Sequence, residues 1–366
     1  MSLSWLFSPK FIAFIVLLSA IPLGLIISIE RAQPATHVYH YHGNGWFREC
    51  AKWDSANNRF IVSFGEGGLG VVPLPEKEDL GAPLEEVAVV KELNLGRNSS
   101  LGLTIDRSRN RVLVVHADVL GNRYSALGAY DLSTWNRLFF TQLAGPSDEK
   151  SFADDVAVDA EGNAYVTDVR ASKIWKVGVE GKLLSVIRNP LFTPKEWYKT
   201  FIGLNGIVYH PDGFLIVVHT LSGTLFKINL TKGEEVKIIK VAGGPLSMGD
   251  GLELLSPTKV VVAGGLSRLV ESLDGWNTAS VVATFSGIKH RIATSTTVKD
   301  GKVVGVVVRM VLVSGGNHPG DGNYVEVVLT DVMVVIVVGV VTRKITVVVV
   351  DIVIGMVMVV VTEGWQ

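Results

Sequence analysis

Four short segments place acidic or amide side chains just ahead of an apolar run. They are Arg48-Glu49-Cys50-Ala51-Lys52-Trp53-Asp54, Asp154-Asp155-Val156, Asn205-Gly206-Ile207 with His210-Pro211-Asp212-Gly213 after it, and Asp250-Gly251-Leu252. Carboxylate and carboxamide oxygens are hard donors that suit Ca2+ or Mg2+, whereas imidazole or thiolate sets point to zinc. Carboxylates crowded together repel one another, and a divalent cation removes that cost. An Asp or Asn before a strand is also a common turn former, so the chemistry depends on whether these segments meet.

Other residue sets carry less. His40 and His42 stand at i and i+2, a spacing that lets two imidazoles share a metal, although an exposed edge strand is the plainer reading. His116 and His219 end apolar runs at equivalent places in two repeats, which favours a structural role over proton transfer. Gly65-Glu66-Gly67-Gly68-Leu69-Gly70 fits the dinucleotide pattern, but Val71-Val72-Pro73 follows where a helix is required, so it reads as a turn between strands. Trp53, Trp175 and Trp276 read as core aromatics.

A scaffold that joins distant segments is legible in the repeats. An apolar strand, an Asp/Asn/Gly turn and a second apolar strand recur six times, beginning at Cys50, Leu101, Asp155, Asn205, Asp250 and Ile292. The turn residues Asp54, Asp106, Asp159, Asp212, Ser256 and Asp300 are separated by 52, 53, 53, 44 and 44 residues, the spacing of four-stranded propeller blades. Third strands follow at SKIWKV from Ser172, GTLFKI from Gly223 and SRLVES from Ser267. No helix-period segment is long enough for a parallel crossover, which argues against a doubly wound fold. The expectation is an all-β, six-bladed β-propeller over residues 36–308, with His37 to His42 completing the last blade from the N-terminal side. In such a ring the first strand of every blade lines the central channel. Glu49, Asp154, Asp155, Asn205 and Asp250 would then face one mouth.

The 366 residues carry 34 Lys and Arg against 35 Asp and Glu, a balance without the basic footprint that nucleic-acid binding needs. The single cysteine, Cys50, has no partner for an intramolecular disulfide. Phe11 to Ile29 is 19 residues without a charge, roughly 28 Å as a helix and long enough to span a bilayer. Residues 1–35 are read first as an uncleaved N-terminal hydrophobic helix that anchors the chain, then as a cleaved signal peptide, then as a buried helix. Lys10 before the stretch puts the bulk of the chain in the secretory-pathway lumen or outside the cell. The glycosylation patterns Asn98-Ser99-Ser100 and Asn229-Leu230-Thr231 are compatible with that placement. Residues 309–366 belong to a tract after Gly301 that is roughly 40% Val. It is read either as part of the last blade or as translated non-coding sequence, and charges at Arg343, Lys344 and Asp351 exclude a second anchor.

At the four acidic and amide segments the chain resembles the calcium-dependent propeller hydrolases that include regucalcin, gluconolactonase and paraoxonase, with strictosidine synthase as a relative. The likeness covers about residues 44 to 300 and looks most like uncharacterised plant members. It implies Glu49, Asn205 and Asp250 as ligands of Ca2+ or another divalent cation. Many relatives carry Asn-Asp where this chain has Asp154-Asp155, which keeps an oxygen but loses an amide donor. The expected function is metal-dependent hydrolysis of a lactone or ester-like small molecule, with Asp250 or Asp154 handling the proton or activating water. The rivals are a non-catalytic binding propeller and a strictosidine-synthase-like condensing enzyme that needs no metal.

Overall fold

A computed structural model describes residues 37–43, 47–75, 84–92, 98–285, 292–299, 302–308, 324–329 and 333–339. Among them the chain is nearly all β, with a few 3-10 turns. No helix of the described residues is long and apolar enough to cross a membrane, and the apolar stretch at 11–29 lies outside them.

After β1 (His37–His42), the first sheet takes β2 (Ala51–Asp54), β3 (Arg59–Ser63) and β4 (Leu69–Pro73), then passes β5 (Leu84–Glu85) to β6 (Val87–Val90). The second is β7 (Ser99–Asp106), β8 (Arg111–Ala117), β9 (Ser125–Asp131) and β10 (Arg137–Ala144). The third is β11 (Ala153–Val158), β12 (Ala164–Asp168), β13 (Lys173–Val177) and β14 (Leu183–Ile187). A fourth meander holds β15 (Leu204–His210), β16 (Phe214–His219), β17 (Thr224–Asn229) and β18 (Glu235–Ala242). A fifth holds β19 (Gly249–Ser256), β20 (Lys259–Gly264), β21 (Ser267–Glu271) and β22 (Thr278–Phe285). A short parallel pairing of β18 with β22 merges these two into one eight-stranded sheet.

The last sheet contains β23 (Ile292–Lys299), β24 (Lys302–Val308), β25 (Tyr324–Leu329) and β26 (Met333–Gly339), ordered β23-β24-β26-β25-β1-β5. The strand from the front of the chain thus joins the sheet begun by the last repeat. It does so against β25, with His37 opposite Leu329 and His42 opposite Tyr324, rather than against β24. The reason is register: β24 takes β26 alongside it in parallel, so its second edge is already filled.

Local chemistry explains the repeated hairpins. Asn58, Asn110 and Gly213 stand immediately before β3, β8 and β16 with φ of 48°, 49° and 83°, the left-handed region that Asn and Gly enter at little cost. The aspartates of these turns do more than turn the chain. Asp54 is fully buried and takes Arg59 Nε at 2.9 Å and Arg107 Nη1 at 2.8 Å, Arg107 coming from the next sheet. Asp106 repeats the device with Arg111 Nε at 2.9 Å, whose other nitrogens reach the carbonyls of Val179 and Gly162 in the third sheet.

Apolar side chains fill the spaces between sheets. Trp175 packs with Leu113, Leu127 and Val166, and Trp276 packs with Val260, Val262 and Ile216 while its Nε1 donates to the Pro257 carbonyl at 2.9 Å. The first strands stand side by side in a closed series: β2 beside β7, then β11, β15, β19 and β23, which returns to β2. Polar side chains of β23 make that closure, Ser295 Oγ accepting Ala51 N–H at 3.3 Å and Thr297 Oγ1 accepting Trp53 N–H at 3.0 Å.

Candidate functional site

The first strands do not enter the ring smoothly. The β7–β8 pairing slips between Ser100 and Leu103, β11–β12 between Ala153 and Val156, β15–β16 between Leu204 and Ile207, β19–β20 between Gly249 and Leu252, and β23–β24 between Ala293 and Ser295. A bulge inserts an unpaired residue and re-aims its side chain. The inserted positions are Leu101, Asp154, Asn205, Asp250 and Thr294, each followed by Gly, Asp or Ser, while Glu49 stands two residues ahead of β2. Glycine at 102, 206 and 251 lets neighbouring strands close in: a Cβ at Gly206 would lie 2.2 Å from the Asp250 carbonyl oxygen, and one at Gly102 would lie 2.4 Å from that of Asp154.

Electrostatics shows that the acidic and amide groups meet. Burial pushes the Glu49 carboxyl well above the usual range, with the charges of Asp154, Asp250 and Asp155 adding to it. Burial likewise raises Asp154, with Asp250 and Asp155 next in weight. Asp250 is pushed up to about 8 by burial and by Asp155, partly offset by hydrogen bonds from Asn205 and the Gly251 main chain. Glu49, Asp154 and Asn205 are buried, and Asp250 is the half-exposed member.

Two oxygens of this group, Glu49 Oε2 and Asn205 Oδ1, are buried without a hydrogen-bond partner. Such atoms are costly unless something satisfies them. Among the described residues no three His, Cys, Asp or Glu side chains form a ready-made metal group, so a cation here must also draw on the Asn205 amide. The donor set, all hard oxygen with excess negative charge, fits a divalent cation of the Ca2+ type.

Asp155 behaves differently from its neighbour. Its Oδ1 accepts its own strand's Val156 N–H at 2.9 Å and its Oδ2 accepts the Ile207 N–H of β15 at 3.3 Å, so it ties two sheets together.

Below the acidic group a second polar tier crosses the channel, and the residue types alone had not pointed to it. Lys52 Nζ donates to Glu253 Oε2 at 2.6 Å and to the Thr296 carbonyl at 2.8 Å. Lys52 and Glu253 each follow a mouth carboxylate by three residues, Glu49 and Asp250, a spacing that was available as a signal. Both line a cavity of about 330 Å3 that extends past Thr104, Val156 and Val208 to Asp106, Arg107 and Asp159 at the opposite end of the first strands. Thr294 was also missed: its Oγ1 donates to the Glu49 carbonyl at 2.6 Å.

The remaining candidates are structural. His116 is fully buried, bonded through Nδ1 to Ser100 Oγ of its own sheet at 2.9 Å, and burial holds it down at about 3. His219 is held down at about 4 by burial, its Nδ1 accepting Ser222 N–H at 3.3 Å. His42 Nδ1 lies 2.8 Å from Glu85 Oε1 on the adjoining strand, while the His40 side chain lies outside what is described. The glycine run at 65–70 is the β3–β4 connection, with Gly68 at φ 109° donating its N–H to Ser100 Oγ at 2.8 Å.

An exposed aromatic surface lies on the segment just ahead of β15. The segment that runs into Leu204 and Asn205 exposes Trp197 (72%), Tyr198 (53%) and Phe201 (47%), with Trp197 edge-on to both partners. Ile202, next in the chain, belongs to a buried apolar cluster with Phe47, Leu101 and Phe152.

No protein-family model matches the sequence, and no curated protein matches it. The resemblance to the regucalcin group therefore has no family match behind it. The fold does have relatives among solved structures. Virginiamycin B lyase from Staphylococcus aureus aligns with a TM-score of 0.53 at 9% identity, over 82% of this chain and 97% of that one. The RRP9 WD40 repeats align with a TM-score of 0.52 at 10% identity, over 76% and 92%. A protein of unknown function from Bacteroides caccae gives 0.51 at 13%, over 70% and 87%. The fold is a β-propeller. At these identities the likeness speaks for architecture alone.

Proposed function

We propose that this propeller has six blades and is a metal-dependent hydrolase of lactones or ester-like small molecules. The observation that carries the reading is the pair of unpartnered buried oxygens, Glu49 Oε2 and Asn205 Oδ1, inside a group of mutually repelling carboxylates. In this reading Glu49, Asn205 and Asp250 hold the cation, as the resemblance to the regucalcin group implies. Bound Ca2+ supplies Lewis-acid polarisation of a carbonyl and charge stabilisation. Asp154, raised by burial, and the half-exposed Asp250 hold or accept the proton at a carboxyl oxygen. Trp197, Tyr198 and Phe201 favour a substrate with an apolar part. The uncharged stretch at 11–29 supports a membrane-anchored or lumenal location.

A binding propeller without catalysis is the second reading, favoured by the same exposed aromatics, because an aromatic patch also suits a macromolecular partner. Thermal unfolding of the full-length chain with and without calcium separates the two. The hydrolase reading expects a rise of a few degrees at a hundredfold excess over Kd, about 2.7 kcal/mol, and hydrolysis of aryl esters or aromatic lactones. Asn205→Ala or Asp250→Ala should remove both, and His42→Ala should change neither. Unmoved melting with calcium, magnesium and manganese would sink the metal site.

A further inference from the structure

We infer that Lys52 is a built-in counter-cation of the acidic mouth, held off it by Glu253, and that this ion pair sets how tightly the mouth takes a divalent cation. The inference rests on the metal site proposed above and adds residues that site does not use. Lys52 stands on β2 three residues below Glu49, and Glu253 stands on β19 three residues below Asp250. Their 2.6 Å contact thus spans the channel directly beneath two of the mouth's carboxylates, and the 2.8 Å bond to the Thr296 carbonyl fixes the ammonium from a third strand. Both side chains are mostly buried, at 12% and 25% exposure, so water screens them weakly.

Lys52 has two neighbourhoods. Its charge is felt upward by Glu49 and Asp155: burial and the neighbouring carboxylates raise Glu49 and burial raises Asp155, and Lys52 opposes the rise in both. Sideways, burial pulls Lys52 down, but Glu253, with Cys50 and Asp155 adding to it, more than offsets that and leaves the ammonium firmly protonated. A fixed positive charge under a cation site repels the incoming ion, and a carboxylate beside it cancels part of that repulsion. Thr104, Ala157 and Val208, from three of the other first strands at this depth, carry no charge, so nothing there substitutes for either partner.

The two single removals should therefore act with opposite sign. Lys52→Met keeps length and bulk but leaves Glu253 as added negative charge, and calcium should bind on the order of tenfold more tightly. Glu253→Gln releases the Lys52 charge toward the mouth, and calcium should bind on the order of tenfold more weakly. The double substitution should return to within about threefold of wild type, and Lys52→Arg should stay close to it. A merely structural role for the pair would loosen the ring in both singles and weaken binding in both.

Calorimetric titration of calcium into the full-length chain and its variants reads this directly, with unfolding curves reporting folded protein. Opposite shifts in Kd establish the inference. Equal shifts, or none, overturn it while leaving the metal site standing. If Lys52→Met does not fold, unchanged affinity in Glu253→Gln alone overturns it. No calcium, magnesium or manganese binding by the wild type overturns the metal site and this inference with it.

Discussion

Asp155 Oδ2 accepts the main-chain N–H of Ile207 at 3.3 Å, so a carboxylate on one first strand satisfies the backbone of the next. Asp154, one residue earlier, makes no such bond and faces the other carboxylates, which raise it further after burial. Adjacent residues of one type therefore split into a tie between sheets and a member of the mouth. Asp155→Ala should lower unfolding stability by about 1–3 kcal/mol through the orphaned amide. Asp154→Asn should leave metal-free stability equal or higher, because it removes a like charge. Urea unfolding of both variants without cation checks the contrast.

Stability should depend on pH in a way that calcium changes. Asp155 and Asp250, pushed up to about 6 and about 8 chiefly by burial, hold protons in the folded chain that the unfolded chain has already released. That contribution is lost as pH rises through those values. His116 and His219, held at about 3 and about 4 by burial, act oppositely, since below roughly pH 6.5 only the unfolded chain protonates them. Between about pH 7 and 8 the histidine contribution fades and the carboxylates dominate. The metal-free protein should lose stability across that window, saturating calcium should flatten the loss, and Asp250→Asn should flatten it without calcium. Denaturation midpoints at fixed ionic strength measure it.

The close approach at Gly206 is testable without touching a charged group. Gly206→Ala would set a Cβ 2.2 Å from the Asp250 carbonyl oxygen and 2.7 Å from Leu252 N, pressing β19 away from β15. It should cost at least the 1–3 kcal/mol typical of overpacking and abolish calcium stabilisation. Gly265→Ala meets nothing within 4 Å and should fall within about 0.5 kcal/mol of wild type.

Removing one partner of the buried clamp at Asp54 leaves Arg59 and Arg107 without their carboxylate. Arg107 is partly exposed and stays solvated, so Asp54→Ala should destabilise the chain by about 1–3 kcal/mol, chiefly through Arg59. Hydrogen bonding to Arg107, Asn57 and Arg59 outweighs burial and holds the Asp54 carboxyl below its ordinary range. Its contribution is therefore present above the ordinary carboxylate range and lost as pH falls through the folded value. Acid unfolding should shift to higher pH in a milder variant such as Arg107→Met.

Trp197→Ala and Phe201→Ala test the exposed aromatic surface ahead of β15 as the border of the site. Both side chains are about half exposed or more, so stability should change by less than about 0.5 kcal/mol. KM for an aromatic ester should rise severalfold while the calcium-induced melting shift stays put. An unchanged KM would count against this border as the substrate's apolar contact.

The repeats and their turns were legible in the sequence because they are local. Alternating apolar runs ask for strands, and Asn58, Asn110 and Gly213 mark where the chain must enter positive φ. Glu49, Asp154, Asn205 and Asp250 stood out for the same reason, each sitting just ahead of an apolar run. What local pattern cannot hold is a relationship across strands. The meeting of those groups depends, for Asp154, Asn205 and Asp250, on register slips in separate hairpins, and a slip is set by how a strand pairs, not by its own composition. Asp154 and Asp155 are indistinguishable as residue types, and only the position of Ile207 on the next strand separates them. Lys52 and Glu253 lie 201 positions apart in the chain, and only the closed ring places an ammonium beneath a mouth of carboxylates. Propensity acts over a few neighbouring residues, whereas Coulomb interaction and desolvation act over ångströms of space that the tertiary fold alone assigns.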